Sequence, residues 1–261
     1  MTVDDPRLWT DGLAGAHGRL ASVVESLDAD ALRQPSYCDQ WTVAQVLSHL
    51  GSGAEIAEMV VANGLAGRPA PSRDAYGAIW DRWNALAPED QAGGFLSADA
   101  RATAVLVGAV DRLALLRIPT ARTEVDGIGF AGMRLNEHAL HAWDVRVALD
   151  PGATVDQEAV ELLLGRLPAA GYAGHADRAG DDRPFTEVVA VADAPRAFSV
   201  EVGDDVRIGE VDGPGTAADV HLPGEAVLRL VYGRLDPAHR PPVDARELPA
   251  LDRLGRIFTG F

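Results

Sequence analysis

The chain has 261 residues, with 23 basic side chains, every one an Arg, against 39 Asp and Glu, for a formal charge of −16. A surface so acidic argues against a nucleic-acid partner, which requires basic groups that displace phosphate counterions. The absence of Lys excludes Schiff-base chemistry and a P-loop lysine, and leaves the guanidinium fork as the only permanent cation for an acidic substrate.

Up to residue 150 there are 12 Arg against 20 acids, and beyond it 11 against 19, so each part carries −8 and the acidity forms no tail. With 47% apolar and 24% charged residues, the composition is that of a globular chain with one large or two smaller domains. The first ten residues, MTVDDPRLWT, lack the charged-then-apolar pattern of a signal peptide, and no stretch approaches the ~20 apolar residues needed to cross a bilayer. The expectation is a cytoplasmic protein with no membrane partner.

Apolar spacing predicts a first helix from Arg7 to Leu27. Cys38, the only Cys, can form neither an internal disulfide nor a Cys-based zinc cage and reads as a stray, partly buried thiol. A second helix begins at a capping box formed by Thr42 and Gln45 and runs to about Ala62, before Asn63-Gly64. A third is expected from Ser72 to Leu86. A fourth begins at Ser97 and stops at Pro119, and after a turn-like DGIGFAG a fifth spans Gly132 to Leu149. These helices suggest an up-and-down bundle over residues 1–150. Beyond Pro151 one more helix, Gln157 to Leu167, and a polar link containing HADRAGDDRP precede four alternating runs at 187–192, 197–202, 206–211 and 217–222, expected as an antiparallel meander. Helices from Pro223 to Tyr232 and from Leu248 to Phe258 would cover one face of that sheet, making 155–261 an α+β domain.

The most informative segment is NEHALHAWD on the fifth helix. Glu137 and His141 are four residues apart, so their side chains stand one above the other and can reach one metal ion. The order differs from the metalloprotease pattern, in which Glu directly follows the first of two His. His138 offers an alternative to Glu137. His49, two turns into the second helix and among apolar residues, is the best third ligand from another helix. A His₂Glu set leaves one tetrahedral position open, as catalytic zinc requires, although other divalent metals suit it too. Asp144 is placed to accept from an imidazole N–H, to pair with an Arg or to cap a neighbour. Trp41 and Trp143 flank the proposed ligands and are read as bundle core.

WTVAQVLSHL together with NEHALHAWDVRVAL closely resembles the mycothiol-dependent maleylpyruvate isomerase family, within the DinB-like metal-binding four-helix-bundle proteins. The resemblance covers nearly the whole chain. It implies a DinB-like bundle over 1–150, a small C-terminal α+β domain similar to sterol carrier proteins over 155–261, and a divalent metal, zinc first, on His49, Glu137 and His141. It also implies mycothiol or a similar thiol as cosubstrate. The thiol adds to a conjugated double bond, the resulting single bond rotates, and elimination returns the other isomer; other relatives look like thiol S-transferases. Arg234, in LVYGRLDP, matches the family's Gly-Arg, where an Arg helps bind substrate. Arg82, between Trp80 and Trp83, is a second candidate for a substrate carboxylate, and the remaining arginines are expected at the surface.

The leading expectation is a metal-dependent, thiol-using isomerase or S-transferase acting on an unsaturated acid or other small electrophile, as a monomer or small homo-oligomer. Mycothiol use would imply an actinobacterial background, whose GC-rich genomes also favour Arg over Lys. The competing readings are a hydrolase using metal-activated water, a binding protein holding an apolar ligand in its C-terminal domain, and a family member that has lost catalysis.

Overall fold

A computed structural model describes residues 5–120, 124–169, 183–211 and 218–260. The chain divides into two compact units, 1–159 and 160–261, with the boundary inside one helix. The first unit is helical and the second carries a sheet with helices. Among the described residues no helix is long and apolar enough to cross a membrane.

In the first unit, α1 (Pro6–Val24) starts on Asp5, whose carboxylate accepts from the Arg7 N–H, with Pro6 in the first turn where its missing donor is harmless. It ends sooner than the apolar spacing suggests, and Asp28 caps a separate short helix, α2 (Ala29–Arg33). The expected capping box opens α3 (Val43–Leu65): Thr42 Oγ1 accepts from the Gln45 N–H, and Gln45 Oε1 accepts from the Thr42 N–H. Ser72 caps α4 (Arg73–Asn84). The next helix, α5 (Pro88–Gly108), begins nine residues before the expected Ser97, and a 3₁₀ turn, Val110–Leu115, follows it. The segment DGIGFAG is not a turn. Asp126 accepts from the Gly129 N–H and starts α6 (Gly127–Leu149) five residues before the expected Gly132. Two short strands, β1 (Ile118–Pro119) and β2 (Glu124–Val125), pair antiparallel before it.

Helices α1 and α3 each pack on both α5 and α6, giving the four-helix core. Leu20, Leu47, Leu50, Phe95 and Val145 fill its centre. Helix α4 lies outside it, on α3, with Trp83 inserted over Gly51 and Gly94; side chains at either glycine would occupy the indole's place.

The next helix, α7 (Gln157–Leu164), leads into the second unit. Most of HADRAGDDRP lies outside the described residues. Strands β3 (Phe185–Val191), β4 (Ala197–Val202) and β5 (Val206–Val211) form the expected antiparallel meander. The last, β6 (Val220–Leu222), departs from it by pairing parallel with β3, for a sheet order β5-β4-β3-β6. Helix α8 (Gly224–Val231) packs on β3 and β6, and α9 (Leu248–Ile257) on β6. α8 is buried all round, so its two charges are paired internally: Arg229 donates from Nε and Nη2 to the two Glu225 oxygens, both at 2.7 Å.

Candidate metal centre

The capping box fixes the start of α3 and therefore the face on which His49 emerges. Across from it, Glu137 and His141 occupy successive turns of α6. His49 Nε2 lies 3.2 Å from Glu137 Oε2, and His141 Nε2 lies 3.7 Å from the same oxygen. The two imidazole rings meet edge to face with centroids 4.7 Å apart. One donor atom from each residue lies within 4.8 Å of the other two, a spacing that one cation can bridge. The donors, two imidazole nitrogens and a carboxylate oxygen, are those preferred by zinc and its neighbours.

The cluster is closed on one side and open on the other. The His141 side chain is 10% exposed, whereas His49 is 38% and Glu137 41% exposed. Solvent and small molecules therefore arrive from the His49 and Glu137 side. Burial would raise the Glu137 pKa, but the hydrogen bond with His49 and the charges of His141, His49 and Arg134 outweigh it and lower the pKa to about 2. The carboxylate is ionised at neutral pH.

Asp144, fully buried one turn beyond His141, supplies the supporting contact. Its Oδ2 accepts from His141 Nδ1 at 2.7 Å, so Nδ1 carries the hydrogen and Nε2 presents its lone pair toward Glu137. His138 takes no part. Its side chain is completely buried, and Nε2 meets Asp99 Oδ2 at 3.0 Å.

The sequence reading missed one neighbour. Cys38 is not a stray thiol: its Sγ donates to Asp144 Oδ2 at 3.1 Å and lies 3.7 Å from His141 Nδ1. The loop before α3 carries it there, held by the Tyr37 N–H on the Asp144 carbonyl at 3.2 Å and by a bridge between Pro35 and Thr42. Along the chain Cys38 and His141 are 103 residues apart, and only the folded loop joins them. Trp143 is core as expected, while Trp41 is 38% exposed and sets its ring 5.4 Å from that of His49, beside the open side of the cluster.

The two arginines singled out from sequence each have a partner within their own unit. Arg82 is half-exposed and pairs with Glu55, which also accepts from Trp83 Nε1 at 2.9 Å. Arg234 lies in the second unit, buried, and donates from Nη1 to the Tyr232 carbonyl at 3.0 Å. The glycine before it is required by the backbone: Gly233 has φ +66°, and a Cβ there would sit 2.1 Å from the Gly260 nitrogen. The expectation that other arginines are superficial is corrected by Arg134 and Arg229, both buried: Arg229 is paired with Glu225 at 2.7 Å, whereas Arg134 has only a 3.8 Å contact with Asp99 among the described residues.

The family model of the mycothiol maleylpyruvate isomerase N-terminal domain matches residues 13–146, which include all three clustered residues. The chain belongs to this family. Among solved structures, that of the mycothiol-dependent maleylpyruvate isomerase superposes with a TM-score of 0.62 at 15% identity, covering 90% of both chains. A mutant of that enzyme, with a histidine replaced by alanine, superposes at 0.61 with the same identity and coverage. These likenesses establish that the fold of this maleylpyruvate isomerase family member extends over both units. Two uncharacterized proteins of Mycobacterium tuberculosis, from strains CDC 1551 / Oshkosh and ATCC 25618 / H37Rv, are each 26% identical over 186 residues, covering 70% of this chain and 92% of theirs.

Proposed function

We propose that this protein is a metal-dependent enzyme that uses a small thiol of the mycothiol type and adds it to the double bond of an unsaturated acid. The observation that carries the reading is the convergence of His49, Glu137 and His141, with His141 Nε2 made available by Asp144. Family membership supports the choice of thiol. A divalent metal would be held by His49, Glu137 and His141, and would supply Lewis acidity that lowers the pKa of a bound thiol.

The remaining roles belong to the chain. Glu137, ionised at neutral pH, contributes a full negative charge to the metal position. Asp144 holds His141 in the ligating tautomer, and the exposed edges of His49 and Glu137 leave a path for the cosubstrate. Cys38 is engaged by Asp144, so the reacting sulfur is assigned to the cosubstrate. Sulfur adds to one carbon of the double bond while the proton lost by the thiol is taken up at the other carbon, giving a saturated thioether from which the reverse step removes both. After rotation about the new single bond, elimination restores thiol and double bond in the other isomer; where elimination does not follow, the same step is an S-transfer. Arg234 remains assigned to a substrate carboxylate through the family resemblance, whereas Arg82, held by Glu55, is not needed. The division into a metal-binding domain over 1–150 and an α+β domain over 155–261 is part of the same proposal.

An apolar-ligand carrier is less well supported. A cleft of about 530 Å³ in the second unit is lined by Leu230, Leu235 and Phe258 together with Asp236, Arg240, Asp252 and Arg256, and the Arg240–Asp252 ion pair at 2.7 Å places charge that a wholly apolar ligand would have to bury.

The test combines metal analysis with isomerisation of maleylpyruvate in the presence and absence of mycothiol. Wild type is expected to carry one divalent metal per chain and to turn over only with thiol, and His49→Ala to lose both metal and turnover. Full metal retention by His49→Ala, or turnover without thiol, overturns the reading.

A further inference from the structure

One turn before Glu137 on α6 lies a buried cation that the reaction described above leaves unused. The Arg134 side chain is only 10% exposed. Its Nη2 is buried without a hydrogen-bond partner among the described residues, and its one ion pair is a loose 3.8 Å contact with Asp99 Oδ1. The other arginines of the first unit that form ion pairs do so at closer range: Arg19 on Asp156 at 2.9 Å, Arg33 on Glu89 at 2.7 Å, Arg146 on Asp156 at 2.9 Å.

The Asp99 charge is already committed. Its Oδ2 accepts from both His17 Nδ1 at 2.8 Å and His138 Nε2 at 3.0 Å. That contact raises the His17 pKa, which adds positive character around a single carboxylate. The guanidinium is thus buried, under-bonded and only partly neutralised, a costly arrangement for a cation with no function.

Its position gives it a function. Arg134 precedes Glu137 by three residues, so the two share a face of α6, and the Arg134 charge contributes to the low Glu137 pKa. On α3 the guanidinium lies against Gly53, four residues after His49 and on the same face; a Cβ there would come within 2.8 Å of Arg134 Nη1. The absent side chain admits the guanidinium between α3 and α6, one turn along from the candidate metal centre on both helices.

We infer that Arg134 is the anion subsite of this centre and binds the carboxylate of the acidic substrate through its planar fork. The inference rests on the proposed function for its substrate class, but the subsite itself consists of Arg134 and Gly53 and does not require the metal. A carboxylate placed there would complete the guanidinium's hydrogen bonding and hold an unsaturated acid one helical turn from the cluster.

The experiment is calorimetric titration of full-length, zinc-treated protein with maleate and with its uncharged diamide, alongside zinc content and melting temperature. Wild type is expected to bind maleate and not the diamide. Arg134→Gln should weaken maleate at least tenfold with zinc content unchanged, and Arg134→Lys should recover only part, since it keeps the charge and loses the fork. Gly53→Ala, which displaces the guanidinium without removing it, should also weaken maleate and answers the question even if Arg134→Gln fails to fold. Absence of maleate binding by wild type, equal binding of the diamide, or wild-type affinity in folded Arg134→Gln or Gly53→Ala overturns the inference. Failure of the metal reading would show separately, as zinc content unaffected by His49→Ala.

Discussion

Replacing Asp144 by Asn tests whether this carboxylate sets the state of His141. Asp144 has no exposed surface, and its Oδ2 receives both His141 Nδ1 at 2.7 Å and Cys38 Sγ at 3.1 Å. An ionised carboxylate can only accept, so the imidazole hydrogen is confined to Nδ1 and the lone pair to Nε2. An amide offers two outcomes. If its NH₂ faces His141, the hydrogen moves to Nε2 and the ligating lone pair is lost. If its carbonyl faces His141, the tautomer survives, but the negative charge that makes the imidazole a stronger ligand is gone, and the NH₂ is left against a sulfur that accepts weakly.

Either outcome weakens metal binding, by about 10- to 100-fold for the loss of such a supporting contact, equivalent to about 1.4 to 2.8 kcal/mol. The measurement is zinc affinity by competition with a chromophoric chelator, with the melting temperature as a check on folding. Cys38→Ala removes one donor to the carboxylate and leaves the His141 contact in place, so its zinc affinity should stay close to wild type. A folded Asp144→Asn protein with wild-type zinc affinity would refute the reasoning and reduce Asp144 to a packing partner.

Two further predictions concern the bundle that holds the site. A Cβ at Gly51 would lie 2.4 Å from the Trp83 ring, whose Nε1 is tied to Glu55, so Gly51→Ala should destabilise: overpacking costs about 1–3 kcal/mol against a helix-propensity gain of about 1 kcal/mol. Gly18→Ala on α1, with no atom within 4 Å of the new Cβ, should stabilise by about 0.8–1 kcal/mol; chemical denaturation that ranks the two the other way would contradict this packing. The His17–Asp99 contact predicts a pH dependence. The His17 pKa is raised above 6.5, chiefly by its hydrogen bond to Asp99, so the contribution is complete below 6.5 and is lost as pH rises through the folded pKa. Asp99 behaves in the opposite sense: although burial opposes ionisation, the charges and hydrogen bonds of His138 and His17, together with Arg134, hold its carboxyl well below the usual range. Its contribution is present above 3.8 and is lost only in strong acid. Melting temperature measured between about pH 6 and 9 should therefore fall more steeply for wild type than for His17→Gln, and parallel profiles would rule the linkage out.

What the sequence disclosed, and what it withheld, follows from the range of the interactions involved. The Thr42–Gln45 box spans four residues and could be read directly, and it places His49; the four-residue interval from Glu137 to His141 is equally local. The strands β4 and β5 match the alternating runs residue for residue because each carries its own pattern. The first turns of α5, which starts at Pro88 and not at Ser97, contain Gly93-Gly94, a pair of weak helix formers. Gly94 is there for a tertiary reason, since its missing Cβ leaves room for the Trp83 ring at 3.1 Å. Gly127, within the segment DGIGFAG that reads as a turn, has a tertiary reason too, since a side chain there would strike the Leu113 carbonyl at 2.7 Å. The parallel pairing of β6 with β3 is a choice of partner, which alternation within one strand does not encode.

Cys38 and Arg134 belong to this second kind. No local pattern brings the thiol to Asp144. Arg134 did carry a usable signal, its three-residue offset from Glu137, which placed it on the ligand face of α6, but an Arg at that spacing usually points to solvent. What turns it inward is Gly53 on the facing helix, and the composition supplies the complement to that observation. In a chain with no Lys, Arg is the only permanently cationic side chain for a buried acidic-substrate site, and here a Cβ on the facing Gly53 would come within 2.8 Å of the Arg134 guanidinium. The pairing of Arg134 with Gly53, rather than either residue alone, is therefore the feature to look for in relatives, because loss of the glycine would expel the guanidinium even where the arginine is kept.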